Sequence, residues 1–383
     1  MTNNNTITID VSPAVHKRAG LGRYADELVH ALAPKVAAAG LDLRLFYTEA
    51  KTAQPSGLLA QLPRSTTNLG YKPWRLSALA SQFLRIPRDG VYGNPALVHA
   101  TDHLLPYVRA KSVFTLHDLI FEIFPEHHKL YNHLFLKLMM RRFLKAADHI
   151  ICVSEHTKRD AERLYGIDPA KITVIYEAAD PKYQPATPAD RSRHATVRQK
   201  YNLPERYILH VSTIEPRKNL GRLLEAFGAL KGEFPDLKLV LVGKKGWLYE
   251  PFFEQLQAGG LEQEVIFPGY VAEEDLPLFY QMATVFCFPS VYEGFGLPPL
   301  EALSSGCAVV CSNASSLPEV MGEAGLLVTP TDTRAITEAL RRVLSDDALR
   351  RDLQERGPIQ ASKFSWATAA EQTLEVYQHL LRN

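Results

Sequence analysis

Apolar residues along this chain follow two periods in turn. Short apolar runs of strand length fall at residues 6–12, 41–48, 97–100, 113–116, 149–153 and 172–176. Between them lie stretches with helical spacing. Gly20 and Gly22 form a glycine loop that opens an amphipathic helix with Leu28, Leu32 and Val36 on one face. Residues 126–148 carry Leu134, Phe135, Leu138, Met139 and Leu144 beside Lys129, Lys137, Arg141, Arg142 and Lys145. Ser154 is placed to cap a helix over 155–164, which Gly166 ends. The pattern breaks twice. Residues 50–75 hold Pro55, Gly57, Pro63, Gly70 and Pro73 without clear periodicity and read as a long surface excursion. Pro181, Pro185 and Pro188, then a charged run to Lys200, predict an interdomain linker over 186–205. Strand–helix alternation resumes at residues 207–212, 237–243, 265–269, 284–288, 308–312 and 325–328. A last helix over 366–383 has Ala370, Leu374, Tyr377 and Leu381 on one face. Such alternation predicts the α/β class, with two Rossmann-like, doubly wound parallel-sheet domains at 1–185 and 206–365.

Length agrees, since 383 residues exceed one ordinary domain. A chain 46% hydrophobic and 22% charged is expected to build sizeable cores, and a net charge of +1 selects no nucleic acid as partner. Cys152, Cys287, Cys307 and Cys311 all lie in or beside apolar runs and form no C-x-x-C pair, so they read as buried free thiols. The first six residues lack the basic-then-apolar pattern of a signal peptide, and no apolar run reaches about 18 residues. The expectation is a cytoplasmic protein, peripheral if it meets a membrane. The basic amphipathic helix at 126–148 reads either as a core helix with a solvated face or as one lying on an anionic membrane.

The densest chemistry lies in residues 289–306. A strand before it and a strand after it make this a strand–loop–helix–strand corner, with Pro298 and Pro299 suited to the first helical turn and Gly306 to the position past the helix end. The N–H groups of Gly294, Phe295, Gly296 and Leu297 would face the carboxyl edge of a parallel sheet, where ligands bind, and would hold a phosphate. Glu293 before the glycines and Glu301, expected in the first helical turn, offer acceptors for sugar hydroxyls. Arg217 and Lys218 project from another carboxyl-edge loop and suit a diphosphate. His117 and Asp118 end a strand of the first domain. Each feature has a plainer reading as a turn, a solvated pair or a structural histidine. Phosphate donors flanked by hydroxyl acceptors are what a sugar nucleotide needs.

Glu-Gly-Phe-Gly-Leu-Pro-Pro-Leu-Glu-Ala at 293–302, with Pro318-Glu-Val, Gly325-Leu-Leu-Val, Glu215-Pro-Arg-Lys-Asn, Gly20-Leu-Gly-Arg-Tyr and His117-Asp-Leu, resembles the retaining GT-B glycosyltransferases of family GT4 over most of the chain. The resemblance implies two domains facing a cleft, the first for the acceptor and the second for the donor, with the last helix crossing back to the first domain. It implies His117 against the donor sugar, Glu293 on the sugar hydroxyls, Glu301 on the ribose and Gly22 in a flexible loop near the donor phosphate. It also places Gly243, Gly269 and Tyr270 in loops lining the nucleoside pocket. Ser212 stands where relatives commonly have Gly, which bears on the backbone's approach to the donor. The Gly-Leu-Gly-Arg-Tyr start with the two later motifs looks most like mannosyltransferases using GDP-mannose. Lipid-linked glycans at the inner face of a membrane are the acceptors so implied.

No D-x-D occurs in the sequence, so the usual carboxylate clamp for a metal-bound diphosphate is missing and no metal or other cofactor is expected. Fixed positive charge from Arg217, Lys218 and the loop at 294–297 is expected to stabilise the leaving diphosphate, and front-face displacement with retention is the expected course. Other donors (UDP-glucose, UDP-GlcNAc or dTDP-rhamnose), a sugar-nucleotide epimerase and a catalytically silent scaffold stay open. A nicotinamide dehydrogenase is disfavoured, because the first β-α-β lacks Gly-x-Gly-x-x-Gly and an acidic residue ending its second strand.

Overall fold

A computed structural model describes residues 5–49, 54–127 and 130–383. The first four residues, Ala50 and Lys129, all used above, lie outside the described residues. Two units divide the chain, Met1–Glu177 with Ser365–Asn383, and Ala178–Phe364.

The first unit holds a seven-stranded, all-parallel sheet of β1 (Thr6–Asp10), β2 (Asp42–Thr48), β3 (Arg64–Thr67), β4 (Leu97–Ala100), β5 (Lys111–Leu116), β6 (His149–Cys152) and β7 (Ile172–Val174), in the order β3-β2-β1-β4-β5-β6-β7. The second holds β8 (Tyr207–Val211), β9 (Lys238–Val242), β10 (Val265–Ile266), β11 (Val285–Phe288), β12 (Val309–Ser312) and β13 (Leu326–Val328), parallel in the order β10-β9-β8-β11-β12-β13. Central strands are buried on both faces, as helices covering both sides require. Each sheet reverses its strand order once, at β1/β4 and at β8/β11. The carboxyl ends at those switch points open the crevices where α/β proteins bind ligands.

Local chemistry places the elements. Leu28, Leu32 and Val36 are buried on the Ala19–Ala38 helix. Ser154 Oγ accepts from Thr157 N at 3.0 Å, and Gly166, at φ 61°, ends that helix. The four cysteines are buried free thiols. Helix Trp366–Arg382 packs in the first unit against Ala19–Ala38, burying Ala370 and Tyr377, while Val376 and Leu380 take the inward places expected of Leu374 and Leu381.

Four expectations change. The glycine loop is absent, because Gly20 and Gly22 lie inside the first turn of Ala19–Ala38. A Cβ on Gly22 would sit 2.8 Å from Pro13 O, so this glycine allows close packing on helix Ser12–Val15. The excursion at 50–75 contains edge strand β3 and the start of helix Tyr71–Leu84. An edge strand of Arg-Ser-Thr-Thr carries no apolar alternation to read. Residues 186–205 include helix Pro188–Lys200, and the division falls after Glu177 rather than near 185. That helix buries only Val197. It is held instead by a Thr187–Asp190 capping box and by Asp275, which accepts from Arg193 (2.8 Å), Lys200 (2.7 Å) and Tyr201 (3.0 Å). Finally, the helix expected over 126–148 runs Leu130–Ala146, with Glu126 in a preceding 3₁₀ turn.

Buried His99 ties the last helix to the sheet. Its Nδ1 meets Tyr377 Oη at 2.5 Å and its Nε2 meets Thr115 Oγ1 at 2.7 Å. Burial, then His117 nearby, brings its pKa down to about 3, so the ring is neutral and uses one donor and one acceptor. Tyr377→Phe strands one buried ring nitrogen. It is expected to cost about 1–3 kcal/mol of stability, read as a lower urea midpoint with an unchanged slope.

Candidate functional site

The switch point between β8 and β11 gathers the second unit's candidates. Beyond β8 the chain runs through Ser212 into the 3₁₀ turn Pro216–Lys218, and beyond β11 it runs through Pro289 and Ser290 to Glu293. Asn219 takes a left-handed φ of 58°, and its Nδ2 donates to Pro289 O at 2.9 Å and to Pro330 O at 2.7 Å, stitching the two loops together.

Glu293 sits at the centre and is buried. Arg217 Nη1 donates to its Oε2 at 2.7 Å, Lys218 Nζ to its Oε1 at 2.5 Å, and Ser290 Oγ to the same Oε1 at 2.6 Å. Arg217 Nε also donates to Glu215, itself buried. Burial alone raises a carboxyl pKa, yet the two cations outweigh it and hold Glu293 at about 2. Burial and the neighbouring Arg217 push the Lys218 ammonium the other way, below its ordinary value. Two cations and two carboxylates thus balance at the switch point.

The glycine loop is pinned from the turn after β12. Ser315 Oγ accepts from Glu293 N at 2.8 Å, and Ser316 Oγ lies 3.0 Å from Glu293 O and 2.6 Å from Phe295 O. Phe295 packs edge-on against Phe364 at 5.7 Å. Gly296 caps helix Leu297–Ser304 at φ 125°, where a Cβ would meet Leu317 at 2.8 Å. Pro298 and Pro299 occupy the first turn and carry no N–H, so of the helix's leading donors only Gly296 and Leu297 remain. The cations must therefore supply most of the positive field. Gly306, at φ 69°, follows the helix end.

Glu301 is the fifth residue of that helix, in its second turn rather than its first. It is buried and accepts from Tyr280 Oη at 2.9 Å. Gly243 takes φ 147°, and a Cβ there would lie 1.8 Å from Ser212 O, so the loops after β8 and β9 touch backbone to backbone. Ser212 Oγ lies 2.7 Å from His210 Nε2, while His210 Nδ1 donates to Cys287 O at 2.8 Å. Burial lowers the His210 pKa to about 4, so Nε2 accepts from the Ser212 hydroxyl. Gly269 (φ 76°) and the 86% exposed Tyr270 form a turn beyond β10, apart from these contacts.

His117 and Gly22 belong to the first unit. His117, beyond β5, is buried with Nε2 3.1 Å from Thr101 O and Nδ1 3.3 Å from Glu177 Oε1, and its ring stands edge-on to Tyr24 at 4.8 Å. A polar cluster shares that carboxyl edge. Arg18 Nη1 donates to Asp102 at 2.7 Å and stacks over Tyr71 at 4.1 Å, and Asp10 accepts from Ser12 N at 2.9 Å. Burial drives Asp10 up to about 7, so Arg18 and Asp102 leave the cluster close to neutral. Sequence reasoning missed Asp10, Arg18, Glu177, Tyr280 and Ser290: Arg18, Glu177 and Tyr280 act through partners distant in the chain, whereas Asp10 and Ser290 meet Ser12 and Glu293 close by but belong to no motif that marks them. Among the described residues no group of His, Cys, Asp and Glu has the arrangement of a metal site.

Residues 18–183 match the model of Glycosyltransferase Family 4, and residues 194–360 match that of Glycosyl transferases group 1. Over 98% of its length the chain is 34% identical to the whole of O-antigen chain mannosyltransferase B of Escherichia coli. The chain belongs to glycosyltransferase family 4. This family 4 glycosyltransferase also aligns, at 32% identity over 71% of its length, with about a third of the serotype-specific mannosyltransferase WbdA of E. coli. Among solved structures it is similar to sucrose-phosphate synthase from Thermosynechococcus elongatus, with TM-score 0.78, 22% identity and 99% coverage of both chains. Two doubly wound parallel α/β units with that likeness are the GT-B fold. The dehydrogenase, epimerase and silent-scaffold readings give way to a glycosyltransferase.

The ion cluster sets a pH signature. The Glu293 carboxyl ordinarily titrates near 4.5 and in the fold near 2, so as pH falls the unfolded chain takes the proton first. Stabilisation present above pH 4.5 is lost between 4.5 and 2. The stability gap between wild type and Glu293→Gln, measured by urea unfolding, is expected to be widest at neutral pH and to narrow by pH 3. A gap that stays constant would trace the loss to packing instead.

Proposed function

We propose that this glycosyltransferase moves mannose from GDP-mannose, with retention of configuration and without a metal, to a glycan acceptor of O-antigen type carried on a lipid. The observation that carries the donor half is Glu293, buried between Arg217 and Lys218 at the β8/β11 switch point. Without donor the carboxylate occupies both cations. A diphosphate arriving there takes over their positive charge, which frees the Glu293 oxygens to accept from the sugar hydroxyls. Charge growing on the leaving diphosphate then meets a preorganised field. Glu301, oriented by Tyr280, takes the ribose, Ser212, Gly243, Gly269 and Tyr270 border the nucleoside, and His117 orients the transferred sugar. Arg18, Asp102, Asp10 and Tyr71, nearly neutral and rich in acceptors, suit the hydroxyls of a neutral acceptor sugar. Mannose is supported by the full-length mannosyltransferase relative. A lipid-linked acceptor places the work at the cytoplasmic face of a membrane. No helix among the described residues is long and apolar enough to cross one.

A thermal-shift panel of GDP, UDP, dTDP and their sugars, with and without EDTA, tests donor and metal together. At 100 times its Kd a ligand adds about 2.7 kcal/mol, and GDP and GDP-mannose are expected to lead with EDTA indifferent. A uridine or thymidine nucleotide in the lead overturns the donor, and an EDTA-sensitive shift overturns metal independence.

Kinetics assign the two glutamates. Glu301→Ala is expected to raise the donor KM more than it lowers kcat, since ribose contacts are equal in ground and transition states. Glu293→Gln is expected to lower kcat by tenfold or more. An unchanged KM in the first variant removes Glu301 from the donor.

A further inference from the structure

Glu177 follows β7 as the last residue of the first unit, and only 5% of its surface is exposed. A carboxylate in such a place loses its water and needs a donor or a cation in return. Among the described residues its side chain has one hydrogen-bond or ion-pair partner, His117, whose Nδ1 lies 3.3 Å from Oε1. Strand β6 lies between the strand ends that carry the two residues, so the pair is made by the sheet and not by the chain.

His117 is held on several sides. Its Nε2 lies 3.1 Å from Thr101 O beyond β4, Thr157 Oγ1 donates to its carbonyl at 3.3 Å, and Tyr24 and His103 stand edge-on to its ring at 4.8 and 6.3 Å. Both ring nitrogens therefore face oxygens that only accept. A neutral imidazole has one N–H and turns a lone pair toward the other oxygen, whereas a ring with both protons serves the two. Thr101 O is a neutral carbonyl, so the counter-charge for such a ring comes from Glu177. The other titratable groups in reach are His99 on β4, Asp102 and His103 at its end, Tyr24, and the adjoining Asp118. Both of those carboxylates are engaged elsewhere, Asp102 by Arg18 at 2.7 Å and Asp118 by Ile120 N at 3.2 Å.

We propose that Glu177 is a positioning residue of this glycosyltransferase: its carboxylate fixes the His117 ring as a cation with two N–H groups, and on donor binding the Nε2–H leaves Thr101 O for an oxygen of the transferred sugar. This role rests on the reading that puts His117 against that sugar. The ring is followed by NMR of the full chain carrying ¹³C-labelled histidine, its signal identified by its absence from His117→Asn. The signal is expected to titrate about one pH unit higher in the wild type than in Glu177→Gln, because an opposite charge within about 4–6 Å favours the charged form. Glu177→Asp, which keeps the charge, is expected to stay close to the wild type. This titration needs no donor, so it decides the role of Glu177 even where GDP-mannose is not the substrate. Kinetics then follow GDP release from GDP-mannose. Glu177→Gln is expected to lower kcat about tenfold with the donor KM within about twofold, to move the alkaline limb of kcat about one unit to lower pH, and to cost nothing further in a chain that already carries His117→Asn. Equal titration of the ring in wild type and Glu177→Gln, or losses of kcat that multiply in the double variant, would overturn the role of Glu177 alone. Wild-type kcat in His117→Asn would remove His117 from the sugar, and the role of Glu177 with it.

Discussion

A buried carboxylate stays ionised only where cations or hydrogen-bond donors come with it, and Glu293 has two cations. Arg217 and Lys218 stand 76 and 75 residues earlier in the chain. Only a sheet that places β8 beside β11 delivers both loops to one edge. Asn219 and Ser315 then fix the loops so closely that the carboxylate meets both cations at hydrogen-bond distance. Much of the second unit's loop chemistry answers to that requirement, from the positive φ of Gly296 to the backbone contact at Gly243. The cluster is also a store of preorganised charge. Its carboxylates neutralise the cations, so positive charge is held at the switch point without an unpaired cation in a partly buried place.

The first unit is organised around a different buried polar group. His99 spans Thr115 on the sheet and Tyr377 on the last helix, while Thr115 also meets Tyr24, whose ring edges His117. Neutral hydrogen bonds here do what ions do in the second unit. They specify one position for a helix whose apolar face alone would allow several, because buried polar groups cost free energy in any register that leaves them unpaired. The last helix thereby supports the strand end that carries His117, although the chain reaches it only after completing the second unit.

Charge is nearly balanced over the whole molecule yet strongly sorted within it. Acid-free helices gather cations and apolar side chains on one face of the first unit, whereas the helix Pro188–Lys200 mixes both signs and is clamped by a single aspartate. Local charge pattern, which net charge conceals, distinguishes these two surfaces.

Sequence by itself determined the α/β class, the two halves, most strand positions, the caps at Ser154 and Gly166, and the residues of the Arg217, Lys218, Glu293 and Glu301 motifs. These are legible because period, turn chemistry and motif spacing are local properties of the chain. Tertiary structure decided what depends on distant partners. Edge strand β3 has no apolar alternation to show itself, and helix Pro188–Lys200 is held by Asp275 rather than by an apolar face. Gly22 reads as a loop glycine in sequence because its reason, the nearby Pro13 carbonyl, lies in a separate helix. Glu301 accepts from Tyr280, 21 residues earlier, a pairing that no motif spacing records. Strand order is the deepest of these decisions. Pairing is chosen by burial summed over the whole sheet, and no stretch of the sequence records that sum.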